Sequence, residues 1–215
     1  MPVRQVRQHG GNIIGQFPSL KTGHVMPYES SIERDFLFFL EYDPTVLRYA
    51  MQPMEITGTD AGGKTRHYTP DVLVERASSK TLVECKPAAL LDAPHTHQQI
   101  ALGEHWATAN GYDFVVITDV DLRTGHRLSN LQLLWRYARL LVPYAVIERC
   151  RAVLQAAPHG LPWSTLLALL EGFAPPLTLP PALYHLLFQH VLTANMDEPL
   201  TPASVVSLAT HSGRP

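Results

Sequence analysis

The sequence predicts an α/β layered core followed by a smaller helical module, and three observations carry that reading. Apolar residues in the first two thirds recur at helical spacing, then alternate as in strands, then return to helical spacing, so helices and strands interleave as they do in layered folds. The last third changes character: 10 of the 18 prolines lie between Pro143 and Pro215, and from Arg151 onward only Arg151, Glu171, Asp197, Glu198 and Arg214 are charged. Hydrophobic residues make up 46% of the 215, enough to bury a sizeable core and to exclude disorder throughout.

The elements follow in chain order. Tyr28-Glu29-Ser30-Ser31-Ile32-Glu33 opens a helix, because Ser30 or Ser31 can accept from the orphan amides of the first turn and acidic residues there suit the helix dipole. That helix runs to Asp43-Pro44, since a proline disfavours helix at the residue before it. Three strand-like runs come next, over 51–57, 66–75 and 81–85, and the breaks at 59–63 and 76–80 read as hairpin turns. A helix over 97–110, a buried strand Phe114-Val115-Val116-Ile117-Thr118 and a helix near 130–141 complete the core. In the tail, Trp163–Leu170 and 182–192 are apolar stretches of helix length, bounded by Pro158-His159-Gly160 and Pro175-Pro176. The domains are therefore placed at 1–144, the core with a basic N-terminal arm, and 145–215, the helical module.

Charge and cysteine content narrow the function classes. A net charge of −2 excludes a polycation that holds nucleic acid by bulk charge, so any DNA contact must come from local basic groups. The candidates are Arg4, Arg7 and Lys21 near the start, Lys64 and Arg66 at a turn, and Arg123 and Arg127 in a loop; each either positions a duplex through its phosphates or serves solubility. The N-terminus lacks the apolar stretch of a secretory signal and no run approaches the ~18 apolar residues of a membrane span, so a soluble, cytoplasmic chain without membrane contact is expected. Cys85 and Cys150 are too few for a disulfide framework or a four-thiolate zinc site, and reduced thiols are the reading. His95-x-His97 and His105 lack the acid or cysteine that would complete a zinc cage and read as solvent-facing or capping groups, while His67 flanks a strand within reach of a phosphate.

Polar residues stand where packing favours apolar ones at three places. Glu33 shares a helix face with Phe36, Leu37 and Leu40, so its carboxylate either points along the buried stripe or reaches water from its edge; Glu29 joins it one turn earlier. In Tyr68-Thr69-Pro70-Asp71-Val72-Leu73-Val74-Glu75, Asp71 either heads a buried strand or occupies a turn after its proline. In Thr81-Leu82-Val83-Glu84-Cys85-Lys86-Pro87, Glu84 and Lys86 share one face, either as an exposed ion pair worth at most about 1 kcal/mol or as part of a site. In the functional reading, Asp71 and Glu84 on adjacent strands hold a hard divalent cation through oxygen, with Lys86 beside the attacking water. Phosphodiester hydrolysis asks for this set: an activated water, and positive charge on the crowded phosphorus and the leaving oxygen.

Pro-Asp, then about a dozen residues, then Glu-x-Lys resembles the PD-(D/E)xK nuclease pattern. Together with the segment from Glu29-Ser30-Ser31-Ile32-Glu33 to Asp43-Pro44-Thr45-Val46, and with Gln52-Pro53, it resembles the TnsA-type endonuclease subunit of heteromeric, Tn7-like transposases over roughly residues 10–140. The resemblance implies a restriction-endonuclease-like core with a mixed β-sheet flanked by helices. It also implies magnesium, with manganese able to substitute, and hydrolysis of the 5′, non-transferred strand at transposon ends beside a DDE transposase that cuts and joins the 3′ ends. Glu33 then matches the family's helix acid, Asp71 its metal aspartate and Lys86 its lysine; Glu84 stands where some members carry glutamine, and the Cys85 carbonyl adds an oxygen ligand by analogy of position. For the tail the resemblance implies a winged-helix-like module that docks on an AAA+ regulator, although no wing hairpin is visible in residues 145–215. The expected function is thus a transposon-end DNA endonuclease subunit; a non-catalytic scaffold between transposase and regulator, and a stand-alone repair or restriction nuclease, are the alternatives.

Overall fold

The computed structural model describes residues 13–59 and 63–209, so Arg4, Arg7 and most of the expected basic arm lie outside the described residues. The chain forms two compact units, residues 1–124 and 125–215.

The first unit opens with a hairpin of β1 (Gly15–Pro18) and β2 (Val25–Tyr28), followed by α1 (Ser31–Tyr42). The Ser30 side chain caps α1 by accepting the Glu33 N–H at 3.1 Å, and Ile32, Leu37 and Leu40 form its buried stripe. Then come β3 (Arg48–Met51), β4 (Ile56–Thr59), β5 (Thr65–Tyr68), β6 (Val72–Glu75), β7 (Lys80–Lys86), α2 (Pro94–Asn110), β8 (Asp113–Thr118) and the short α3 (Asp119–Arg123). A four-stranded sheet in the order β3-β6-β7-β8 is the centre: β3, β6 and β7 are antiparallel, whereas β8 runs parallel to β7. The parallel pair is joined through α2, the crossover that a parallel connection needs. Strands β4 and β5 form a separate hairpin.

Two of the predicted strand runs are each broken in two. The 51–57 run contains the end of β3 and the start of β4, because Gln52 is left-handed (φ 44) and Pro53 has no N–H to donate. The 66–75 run breaks at Thr69-Pro70-Asp71, where Pro70 again removes a ladder donor. The predicted hairpins join β4 to β5 and β6 to β7, the latter closed by Arg76 N–H on the Ser79 carbonyl at 2.9 Å. The first hairpin, β1–β2, is absent from the sequence reading; both strands are four residues long and each carries a proline.

The register settles which faces meet which helices. Leu73 pairs with Leu82 and Leu82 with Phe114, and this face packs on Ala107 and Trp106 of α2. Tyr49, paired with Val74, faces the other way and donates its hydroxyl to Glu41 of α1 at 2.7 Å. The sheet is therefore sandwiched between α1 and α2, a mixed-sheet α/β arrangement.

The second unit contains α4 (Arg127–Trp135), α5 (Tyr144–Gln155), β9 (Leu161–Pro162), α6 (Trp163–Leu170), α7 (Leu179–Phe188), β10 (Leu192–Ala194) and β11 (Val205–Leu208), the strands pairing antiparallel in the order β10-β11-β9. The predicted helix 182–192 stops at Phe188, because His190 turns left-handed (φ 53), and Leu192 begins a strand instead. The β10–β11 hairpin is consequently missing from the sequence reading. The division falls at 124/125, ahead of the sequence-based 144/145, because α4 is tied to the tail. Buried Asn130 donates to the carbonyls of Met196 (2.9 Å) and Glu198 (2.7 Å) and accepts from Leu200 N–H at 3.3 Å. Tyr184 stacks between Tyr137 and Trp163, with ring centroids 5.3 and 4.7 Å away. Among the described residues no helix is long and apolar enough to cross a membrane.

Replacing Asn130 strands three backbone groups at once, and an unpaired buried group costs about 1–3 kcal/mol. Asn130→Ala is expected to destabilise the second unit by roughly 2–4 kcal/mol, seen as a lower urea midpoint with an unchanged slope.

Candidate active site

The antiparallel pairing of β6 with β7 dictates the centre of the site. Val72 lies opposite Val83, so Asp71, immediately before β6, comes opposite Glu84 near the end of β7. Lys86 follows two residues later on the Glu84 face, and its Nζ stands 2.8 Å from Glu84 Oε1. Asp71 Oδ2 accepts the Cys85 N–H at 2.7 Å, so the carboxylate takes the place of a ladder carbonyl where β6 has not yet begun. The ion pair is far from the exposed alternative: Glu84 is only 2% exposed and Lys86 about a quarter.

Glu33 arrives from the opposite face of the sheet. It occupies the third helical position after the Ser30 cap, and its Oε2 accepts the Glu29 N–H at 3.0 Å, so Ser-x-x-Glu works here as a variant of the capping box. Glu33 is buried, which excludes the reading in which it reaches water, and its charge acts on Asp71 along with that of Glu84. The fold thus draws Glu33, Asp71, Glu84 and Lys86 from three elements to one end of the sheet.

Electrostatics at this end are dominated by burial and like charge. Burial first, then Glu84 and Glu33, push the Asp71 carboxyl well above the usual carboxylate range, against the pull of the Cys85 amide and Lys86. Burial likewise raises Glu33, with Glu29 and Glu84 adding to it and the Glu29 amide and Ser30 opposing. Burial alone lowers the Lys86 ammonium, but Glu84 and Asp71 outweigh it and hold the group protonated. The Cys85 thiol is pushed up by burial and by the three acids, so it is no thiolate nucleophile. Among the described residues no group of three or more His, Cys, Asp and Glu side chains stands as a ready metal cage: Glu84 is turned to its donors and Asp71 to the Cys85 amide.

Three neighbours quoted in the sequence reading, but given no place among its site residues, stand beside the acids. The buried Tyr68 donates its hydroxyl to Glu84 Oε2. Gln52, 8% exposed, holds the Asp71 carbonyl through its own N–H at 2.8 Å, and its Oε1 is buried without a partner. Glu29 Oε1 is also buried and unpartnered. Each lies inside a segment already singled out, and a buried polar residue beside a proline break is the signal that would have found the first two.

The basic candidates disperse. Lys21 Nζ is bonded to the carbonyls of Asp43 and Val46 beyond the end of α1. Arg123 is engaged by Asp35, Nε to Oδ2 at 2.9 Å, and by Ser31 Oγ at 2.8 Å. Arg127 belongs to the second unit and pairs with Asp197 at 3.2 Å. Lys64 and Arg66 are exposed on the β4–β5 hairpin, whose Tyr68 reaches the acids. His67 turns its Nδ1 to Glu55 at 3.1 Å, and His95, His97 and His105 are exposed along α2.

A carboxyl raised in the folded state binds more protons than its unfolded counterpart, so stability is highest below the unfolded value near 3.9 and falls as pH rises towards the folded value. Asp71→Asn is therefore expected to raise the Tm of the metal-free chain at pH 7, and the gain should shrink on titration to pH 4, as read by thermal melts in parallel.

No curated protein matches this chain. Residues 43–119 match the family described as TnsA-like endonuclease N terminal, a span from the end of α1 through β8 that holds Asp71, Glu84 and Lys86, and the chain accordingly carries a TnsA-type endonuclease domain.

Proposed function

We propose that this chain is the metal-dependent endonuclease subunit of a Tn7-like transposition system, which hydrolyses the 5′, non-transferred strand at transposon ends beside a DDE transposase. The observation that carries the reading is the convergence of Glu33 and Glu84 on Asp71 at one end of a mixed sheet, with Lys86 paired to Glu84, within a TnsA-like domain. Ionised, these four groups carry two negative charges more than positive ones, an imbalance that a divalent cation offsets.

The donor set suits magnesium: hard oxygens, few of them, with room for water and phosphate in the remaining positions. Asp71 and Glu84 would hold the ion, with Glu33 and the Cys85 carbonyl beside them; that carbonyl lies on the β6 side of β7, where β6 has not yet begun. The buried, unpartnered Glu29 Oε1 marks a place where a donor such as a cation-bound water fits. When bound, the ion supplies an activated water and positive charge for the phosphate.

The chain's own groups account for the other requirements. Lys86, held protonated by Glu84 and Asp71, offsets charge on the phosphate and orients the attacking water through N–H groups that Glu84 does not take. Glu33, raised by burial, can hold a proton at its carboxylate within the same cluster. Water adds to phosphorus, the bond to the leaving ester oxygen breaks, and the water's proton passes to solvent as that oxygen is protonated. Lys64 and Arg66 on the β4–β5 hairpin are suited to DNA phosphates.

The second unit supports docking on a protein over DNA. From α5 its order is helix, strand, helix, helix, strand, strand, closing on the β10–β11 pair, and that order supports a winged-helix-like reading. Its few charges and exposed Leu141, Phe173 and Leu177 favour a protein surface, such as an AAA+ regulator.

A strand-resolved cleavage assay of transposon-end DNA in magnesium, with and without the transposase, tests the reading. Asp71→Ala should lower 5′-strand nicking by at least about a hundredfold while leaving assembly with the transposase intact, since even outer partners of a metal ligand are worth 10–100-fold. Full nicking by that variant would refute the assignment.

A further inference from the structure

Glu84 is held on both oxygens by donors from different elements: Lys86 Nζ, on its own strand, stands 2.8 Å from Oε1, and the Tyr68 hydroxyl, from the β4–β5 hairpin, bonds Oε2. An ammonium is a point charge with no fixed fork, so a carboxylate beside it is free to present either or both oxygens. Tyr68 removes that freedom by engaging one oxygen. The carboxylate is fixed with a single oxygen towards the lysine, and Lys86 keeps N–H groups for other acceptors.

Tyr68 is well placed to impose that orientation. It is 5% exposed and ends β5 where Thr69-Pro70 turns the chain into Asp71, so its ring is anchored in the segment that delivers the second acid. Its partner Ile56 across the hairpin is fully buried, and β4 and β5 both contact α2, so the hairpin that carries Tyr68 is held on the same helix that covers the Glu84 face. One tyrosine therefore couples the separate hairpin, the start of β6 and the end of β7.

We propose that Tyr68 is a positioning residue of the nuclease site, acting through Glu84: its hydroxyl sets the carboxylate's orientation for a divalent cation and keeps Lys86 available to the phosphate. This rests on the nuclease reading above and goes beyond it, because it places a requirement outside the Pro-Asp and Glu-x-Lys residues.

Tyr68→Phe removes one oxygen and leaves the ring, so the test uses that variant in the full chain. Manganese binding is measured by calorimetry without DNA, nicking with the transposase present, and Tm alongside, with wild type and Asp71→Ala as references. The expected result is a 10–100-fold weaker manganese affinity and a similar fall in nicking rate at saturating DNA, with half-saturating DNA within about twofold of wild type and a Tm that leaves the variant fully folded at the assay temperature. Wild-type manganese affinity and rate in Tyr68→Phe overturn the inference while leaving the nuclease reading standing. A loss that follows unfolding at the assay temperature, or appears only in half-saturating DNA, assigns Tyr68 to folding or DNA binding and overturns it as well. If the wild-type chain neither binds manganese nor nicks, the nuclease reading falls and this inference falls with it.

Discussion

The pairing of β6 with β7 is the constraint on which everything else in the first unit depends. With Val72 opposite Val83, the next pair outward is Asp71 and Glu84, and strand alternation puts Lys86 on the same face. A slip of one residue would reverse every side chain of β6, sending Val72 and Val74 away from α1 and removing Asp71 from the acids. The slip is opposed on both faces at once. Leu73 and Leu82 are locked into the α2 side with Ala107 and Phe114, and Val72, Val74 and Val83 are buried on the α1 side. The apolar core thus sets the geometry of the polar site: no carboxylate selects the register, yet the register determines which carboxylates meet.

Much of this was legible in the sequence because the relevant signals are local. Ser30 and Glu33 are three residues apart, Glu84 and Lys86 two, and Pro70 immediately precedes Asp71, so caps, alternation and proline chemistry identify them without tertiary information. The burial that decides between the alternatives is not local. Whether Glu33 faces water or the sheet depends on α1 packing, and whether Glu84–Lys86 is a surface pair depends on a hairpin that delivers Tyr68 from sixteen residues away. The strand runs were found but not their interruptions. Apolar alternation continues across Gln52-Pro53 and Thr69-Pro70 while the backbone does not, because a left-handed residue and two missing donors outweigh side-chain pattern.

The second unit shows the opposite balance. Its helices were visible as apolar stretches, but β10 and β11 are three and four residues long, and Leu192 continues the apolar periodicity of α7. What ends that helix is the backbone at His190, a residue type more frequent than most at positive φ but one that also sits readily inside helices, so the stop is not visible in the side-chain pattern. The boundary between units was likewise hidden. Asn130 reads as an ordinary helix residue until its amide is seen to bridge Met196 and Glu198, contacts more than sixty residues away that draw α4 into the tail.

A fold that buries three mutually repelling carboxyls beside one ammonium is less stable than one that scatters them, so the arrangement is not explained by stability. The neighbouring groups show the contrast. Glu41, equally buried, is satisfied by Ser19, the Leu20 amide and Tyr49, and Asp35 by Arg34 and Arg123; each acid there is matched to donors. At the Asp71 end of the sheet the matching is incomplete: Glu33, Asp71 and Glu84 have donors, but Glu29 Oε1 and Gln52 Oε1 are buried without partners and Asp71 is held well above its usual range. Two acid clusters in one unit, built on the same helix, therefore differ in a single respect, whether the protein itself completes them. The cluster around Glu41 is closed and has structural work only. The one around Asp71 keeps buried acceptors and like charges that the chain itself does not offset, which is the feature the proposed cation would answer.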